Sequence, residues 1–173
     1  MKFYSGFSLK NEEYCFSDYI NRSEYSVCGF SYGAIEAFEH VKEQLELKKR
    51  VDTLQLISPA FFQTKDEKFK KLQLLGYRKN RDAYLKEFIS LCFLPYEKKV
   101  VEHDENSAEE LAELLYYVWN KDELKSIVNR GVKIEVYLGG EDRIIDVDGA
   151  REFFLEVATV TYIKDANHFL LTN

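Results

Sequence analysis

Proline is nearly missing from this chain, with two residues in 173, and glycine occurs only eight times. So few breakers exclude collagen-like and Pro/Gly-rich disordered classes and favour regular elements joined by short loops. Cysteine is scarce too: Cys15, Cys28 and Cys92 are odd in number, widely spaced and form no Cys-x-x-Cys. They read as buried free thiols in a reducing compartment. Three scattered histidines without ligand spacing make no zinc site, and no cofactor or metal is expected. The longest stretch without a charged residue, Thr53 to Thr64, is 12 residues and contains Pro59. It is too short to span a bilayer, which takes about 20. The start, Met1 to Gly6, turns polar by Lys10 and Glu12, so no signal peptide is read there. The expected location is the cytoplasm, with no membrane partner.

What the chain does have is an ordinary globular balance, 46% hydrophobic and 31% charged. One domain, residues 1–173, is expected, large enough to bury about 70% of its unfolded surface. Thirteen Phe and twelve Tyr supply material for a core and an apolar pocket. The net charge of −6 makes a generic nucleic-acid binder improbable, and an anionic partner would need a local basic patch.

Short strand-like runs alternate with helical patterns. Lys2–Tyr4, Tyr25–Cys28, Leu54–Ile57, Val132–Leu138 and Ala158–Ile163 read as strands. Asn11–Asn21 has apolar residues at helical spacing. From Tyr32 to Lys49, Ala34, Ile35, Phe38, Val41 and Leu45 form an amphipathic stripe, and Asp148–Val157 is a further helix. Strands alternating with helices imply an α/β fold with a parallel sheet. Residues from about 61 to 130 differ: they are helical in pattern and strongly charged, and read as a helical lid inserted over the C-terminal edge of the sheet.

Gly29-Phe30-Ser31-Tyr32-Gly33 carries the chemistry. With eight glycines and ten serines the spacing arises by chance only about 0.02 times per such chain. It also stands where a strand ends and a helix begins, which is what a nucleophile elbow requires. An elbow serine needs an acid and then a histidine later in the chain. Asp142 follows the strand 134–138 through Gly139-Gly140-Glu141, in the loop where α/β sheets place functional groups. Glu141 is the nearer rival; Asp146 and Asp148 suit the N-terminus of the next helix. His40 lies inside the helix after the elbow and His103 among acidic residues, which leaves His168, beyond the last strand, as the base. The oxyanion donors expected are the backbone N–H groups of Tyr32, after the nucleophile, and Phe7, after Ser5-Gly6.

These motifs resemble the α/β-hydrolase superfamily. Phe3-Tyr4-Ser5-Gly6-Phe7, Gly29–Ile35, Ser58-Pro59, Lys71-Leu72-Gln73-Leu74 and Gly131–Val136 resemble, more narrowly, the short pimelyl-[acyl-carrier protein] methyl ester esterases of biotin synthesis, the BioV type. The likeness runs from Phe3 to Leu170. It implies a minimal α/β-hydrolase with five strands ordered 2-1-3-4-5, a Ser31–His168–Asp142 triad, and hydrolysis of the methyl ester of a pimelyl chain on acyl carrier protein. The chain departs from the larger superfamily in starting at what would be the third strand, and in having Ser5 where a histidine often precedes the oxyanion glycine.

The acyl carrier protein is an acidic partner, and Lys65–Glu87 holds eight basic against four acidic residues. Lys68, Lys71, Arg78, Lys79 and Arg81 are the candidates to meet it. Phe61 and Phe62, with Phe69, Leu72, Leu75 and Tyr77, either line an acyl channel or seal the insertion on the core. A small-ester hydrolase or thioesterase without a carrier, and a non-catalytic binding module, are the alternatives.

Overall fold

A computed structural model describes all residues, Met1–Asn173. The main sheet contains β1 (Lys2–Tyr4), β3 (Ser26–Phe30), β4 (Thr53–Ile57), β6 (Lys133–Gly139) and β7 (Thr159–Ile163), and every pairing in it is parallel. A two-residue antiparallel ladder joins β2 (Leu9–Lys10) to β5 (Glu102–His103). The helices are α1 (Tyr32–Glu46), α2 (Glu67–Lys79), α3 (Arg81–Phe93), α4 (Ala108–Tyr116), α5 (Lys121–Asn129) and α6 (Val147–Phe154).

The strands stand in the order β1-β3-β4-β6-β7, which is their order along the chain. This corrects the 2-1-3-4-5 order implied by the resemblance. The second sheet strand cannot be an edge, because all five residues of β3 are buried, whereas three-residue β1 begins with exposed Lys2. From β3 onward each step goes the same way, and right-handed crossovers then put α1, α5 and α6 on one face. That is where α1, α5 and α6 deliver Phe38, Val41, Leu124, Ile127, Ala150 and Phe154 onto Leu54, Leu56, Ile134 and Val136. The opposite face is covered near β3 by an aromatic stack, with Phe93 and Phe169 rings 4.4 Å apart and Phe16 and Phe30 beside them. Towards β7 it turns polar, with Gln55 bonded to Glu135 and Thr159 and Thr161 exposed.

The Asn11–Asn21 pattern yields only a 3-10 helix, Glu12–Phe16: the chain enters it through Asn11 at φ 58° with no side-chain cap, and Glu12 turns inward to the Gly6 amide. Residues 61–130 are helical as expected, with four capped helices: Asp66, Asn80 and Asn120 each accept a first-turn N–H, and Ser107 with Glu110 forms a capping box. The last of them, α5, packs on α1 rather than over the sheet edge, with Glu123 paired to Lys42 at 3.1 Å. Trp119, just before it, is buried against Phe38 and donates its indole N–H to the Ala60 carbonyl at 2.8 Å.

Candidate active site

Ser31 occupies the sharp turn between β3 and α1 with φ 54° and ψ −115°. A non-glycine residue there stores about 1–3 kcal/mol of strain, so the surroundings must hold it. They do. Its N–H donates to Ile57, and its carbonyl accepts from Ala34 and Ala60, all at 2.9–3.1 Å. The flanking glycines are required by space: a Cβ on Gly29 would strike the Gly33 carbonyl, and one on Gly33 would strike the Tyr4 and Ser5 carbonyls. That crowding brings the loop after β1 against the start of α1.

The Ser31 Oγ lies 3.0 Å from His168 Nε2, and His168 Nδ1 lies 2.6 Å from Asp142 Oδ2. The His168 and Asp142 side chains are 1% and 0% exposed. The other Asp142 oxygen accepts the Ile144 and Ile145 amides at 2.7 and 3.3 Å, so the carboxylate is aimed before it meets the imidazole. The loop bearing His168 is tied to the loop bearing Asp142 by Gly140 N–H to Ile163 and Glu141 N–H to Ala166. Three groups from the ends of β3, β6 and β7 thus form one proton-transfer line. Such a line can activate a hydroxyl for attack on a carbonyl.

The rival residues stand apart. Glu141 is exposed; Asp146 caps α6 through Gly149 and accepts the Thr64 hydroxyl at 2.6 Å. Asp148 and His103 are exposed, and the half-buried His40 ring packs 5.6 Å from Tyr4. Cys92 is fully buried near Asp142, and burial followed by that carboxylate holds its thiol well above the usual range, so it stays protonated and unreactive. No group of three His, Cys, Asp or Glu side chains stands together to hold a metal.

Ser31 opens onto a cavity of about 440 Å³, within the size range of small-ligand sites. Twelve of its eighteen lining residues are hydrophobic, which suits an apolar substituent. Helices α2, α3 and α4 form its walls through residues such as Phe69, Leu72, Phe88 and Leu111, and Phe7 and Phe62 line it from the strand side. Phe61 does not: its ring packs on Phe153 and Phe154 in the core. Tyr77 is buried against Phe7 and Tyr84, and Leu75 faces solvent. Tyr32, the first residue of α1, has an N–H with no intrahelical acceptor, and the Phe7 N–H makes no hydrogen bond within the chain. The Tyr32 hydroxyl donates to Glu113 on α4 at 3.0 Å, fastening a wall helix to the elbow; burial, then that carboxylate, raises the phenol pKa.

The basic candidates separate. Lys68, Lys71, Arg78 and Lys79 recur at helical spacing on one exposed face of α2, with Leu72 and Leu75, 55% and 63% exposed, between them. Arg81 instead opens α3, with its Nε buried and its guanidinium 3.7 Å from Glu105.

Two buried polar residues escaped the sequence reading. The Ser58 hydroxyl donates to the His168 carbonyl at 2.8 Å. Asn167 donates to the Phe93 carbonyl and accepts the Phe169 and Leu171 amides, folding the His168 loop around itself. Ser58 belongs to a segment quoted for the resemblance, but its partner lies 110 residues away and Asn167 reaches back to Phe93 at the end of α3, so neither contact leaves a local signature.

No family model matches the chain, and no curated protein matches it in sequence. Solved structures do. A bromoperoxidase from Bacillus anthracis superposes with a TM-score of 0.64 at 14% identity, over 83% of this chain and 60% of the other. An esterase from Exiguobacterium antarcticum gives 0.61 at 17% identity, over 83% and 59%. Naproxen esterase (carboxylesterase NP) from Bacillus subtilis gives 0.54 at 20% identity, over 84% and 53%. The chain thus spans 53 to 60% of the length of these three. With identities this low the likeness is one of architecture, and the architecture is the α/β-hydrolase fold.

Proposed function

We propose that the chain is a serine esterase that hydrolyses the methyl ester of a pimelyl group carried on acyl carrier protein. The observation that carries the esterase reading is the line Ser31 Oγ, His168 Nε2, His168 Nδ1, Asp142 Oδ2, at 3.0 and 2.6 Å, opening on an apolar cavity. His168 takes the Ser31 proton as the hydroxyl attacks the ester carbonyl, and the Phe7 and Tyr32 amides receive the negative oxygen. His168 then gives the proton to departing methanol. Water enters, loses a proton to His168, and attacks the acyl-enzyme; collapse releases the free acid and restores Ser31. Asp142 holds the imidazole tautomer and balances its cation.

The choice of substrate rests on the sequence resemblance and on the exposed face of α2. Four cations around two exposed leucines suit an acidic partner that also offers apolar side chains, and Leu72 lies at the cavity as well as on that face. Turnover of the methyl ester on the carrier and of a free methyl ester should therefore respond differently to salt. The carrier substrate should lose kcat/KM as ionic strength rises, while the free ester should not. Equal responses would favour a small-ester hydrolase. Restored growth of a biotin-requiring strain lacking its pimelyl esterase, by wild type and not by Ser31→Ala, would tie the chemistry to the pathway.

A further inference from the structure

Glu12 is a fully buried carboxylate that the ester chemistry above does not use. Its Oε1 accepts the Gly6 N–H at 2.6 Å, and its Oε2 has no hydrogen-bond partner. A buried, half-satisfied carboxylate weakens a fold, so its retention calls for a return elsewhere. Two residues beyond Gly6, the Ser8 N–H donates to Asn106 Oδ1 at 2.5 Å and the Ser8 carbonyl accepts from Asp104. The Asn106 carbonyl in turn accepts the Tyr77 hydroxyl of α2. Between these anchors the Gly6 carbonyl accepts the Leu9 N–H at 3.0 Å.

Those bonds fix one peptide plane. The Gly6 carbonyl and the Phe7 N–H belong to the same trans amide and point in opposite directions. With the carbonyl tied to Leu9 and the amides on either side tied to Glu12 and Asn106, the direction of the Phe7 N–H is set. That N–H is the one amide of Gly6–Ser8 without an acceptor, and Phe7 lines the cavity beside Ser31. Ser8 is held at φ 57°, a conformation that needs such anchoring.

We infer that Glu12 and Asn106 are positioning residues for the oxyanion hole: they clamp the amides either side of Phe7 so that its N–H is pre-aimed at the developing negative oxygen. The inference rests on the esterase reading. Asn106 belongs to the segment between α3 and α4, so the clamp also joins the cavity walls to the oxyanion loop.

The test compares Glu12→Ala, Glu12→Gln and Asn106→Ala on a chromogenic short-chain ester, with active sites counted by a fluorophosphonate. Binding of an alkyl boronic acid, which forms a tetrahedral adduct on the serine, is measured alongside. The alanine variants should lose kcat by about tenfold to a hundredfold with KM little changed, and lose boronate affinity by the same factor. Glu12→Gln keeps an acceptor for Gly6 and should recover most of the loss. Wild-type kcat per counted site in Asn106→Ala, no recovery in Glu12→Gln, or a kcat loss without a matching boronate loss would overturn the clamp, whether or not Glu12→Ala folds. A wild-type protein that takes neither reagent at Ser31 would instead remove the esterase reading, and the clamp with it.

Discussion

Presentation of His168 to Ser31 depends on buried polar contacts that never meet a substrate. Ser58→Ala removes the hydroxyl bound to the His168 carbonyl and should cost about 1 kcal/mol, read as a lower midpoint in denaturant. Asn167→Ala strands one carbonyl and two amides and should cost about 3 kcal/mol or more. Asp142→Asn keeps the shape but favours the wrong imidazole tautomer, so kcat should fall by about 10³–10⁴-fold, with folding near normal by circular dichroism. Glu12 makes a pH prediction. Burial, the largest influence, raises its carboxyl pKa above the ordinary 4.5, the Gly6 hydrogen bond opposes this in part, and Glu13 adds to the rise. The folded state therefore holds the proton to higher pH than the unfolded chain does. Stability from this group is fully present below the ordinary pKa and declines as pH rises through the folded one. Glu12→Gln should flatten that decline and raise the neutral-pH melting temperature relative to wild type. Identical pH–stability curves would contradict it.

The elements were legible to different degrees. Four strands of the main sheet follow from apolar runs that end at glycine or Ser58-Pro59, β7 follows from a β-branched and aromatic run that ends at Lys164-Asp165, and the α1 stripe of Ile35, Phe38, Val41 and Leu45 is buried as its spacing requires. Phe38→Ala should accordingly destabilise the chain by about 3–5 kcal/mol, since it empties space between Trp119 and the sheet. Strand order was not legible through the resemblance; the buried β3 and the Lys-bearing β1 decide it. Ser31, Asp142 and His168 could be picked because each follows a strand end in a fixed chain order. The two alternatives for Phe61 and Phe62 could not be separated from sequence, because position within an aromatic pair does not tell which ring turns to a cavity. On α2, Lys71→Glu with Lys79→Glu should lower kcat/KM for the carrier-borne ester several-fold and leave the free ester unchanged. Equal loss on both would mean that the face shapes the cavity rather than meets a partner.

On the scale of the whole molecule, α1, α5 and α6 cover one face of the sheet. The other is covered near β3 by the end of α3 and an aromatic stack and turns polar towards β7, so strands such as β6 alternate between buried and part-exposed positions despite parallel pairing. The site lies where the strand ends, the elbow and helices α2–α4 meet. No helix is long and apolar enough to cross a membrane. The net charge of −6 sits beside a locally basic helix face, a separation that would orient the acidic carrier proposed above before contact. All of it depends on Ser31 being a nucleophile that His168 and Asp142 activate. Intact-mass analysis after treatment with an alkyl fluorophosphonate tests this most directly. A single adduct mapped to Ser31, absent in Ser31→Ala and formed far more slowly in His168→Gln, is the expected result. An unmodified wild-type protein, or an adduct on another residue, would contradict it.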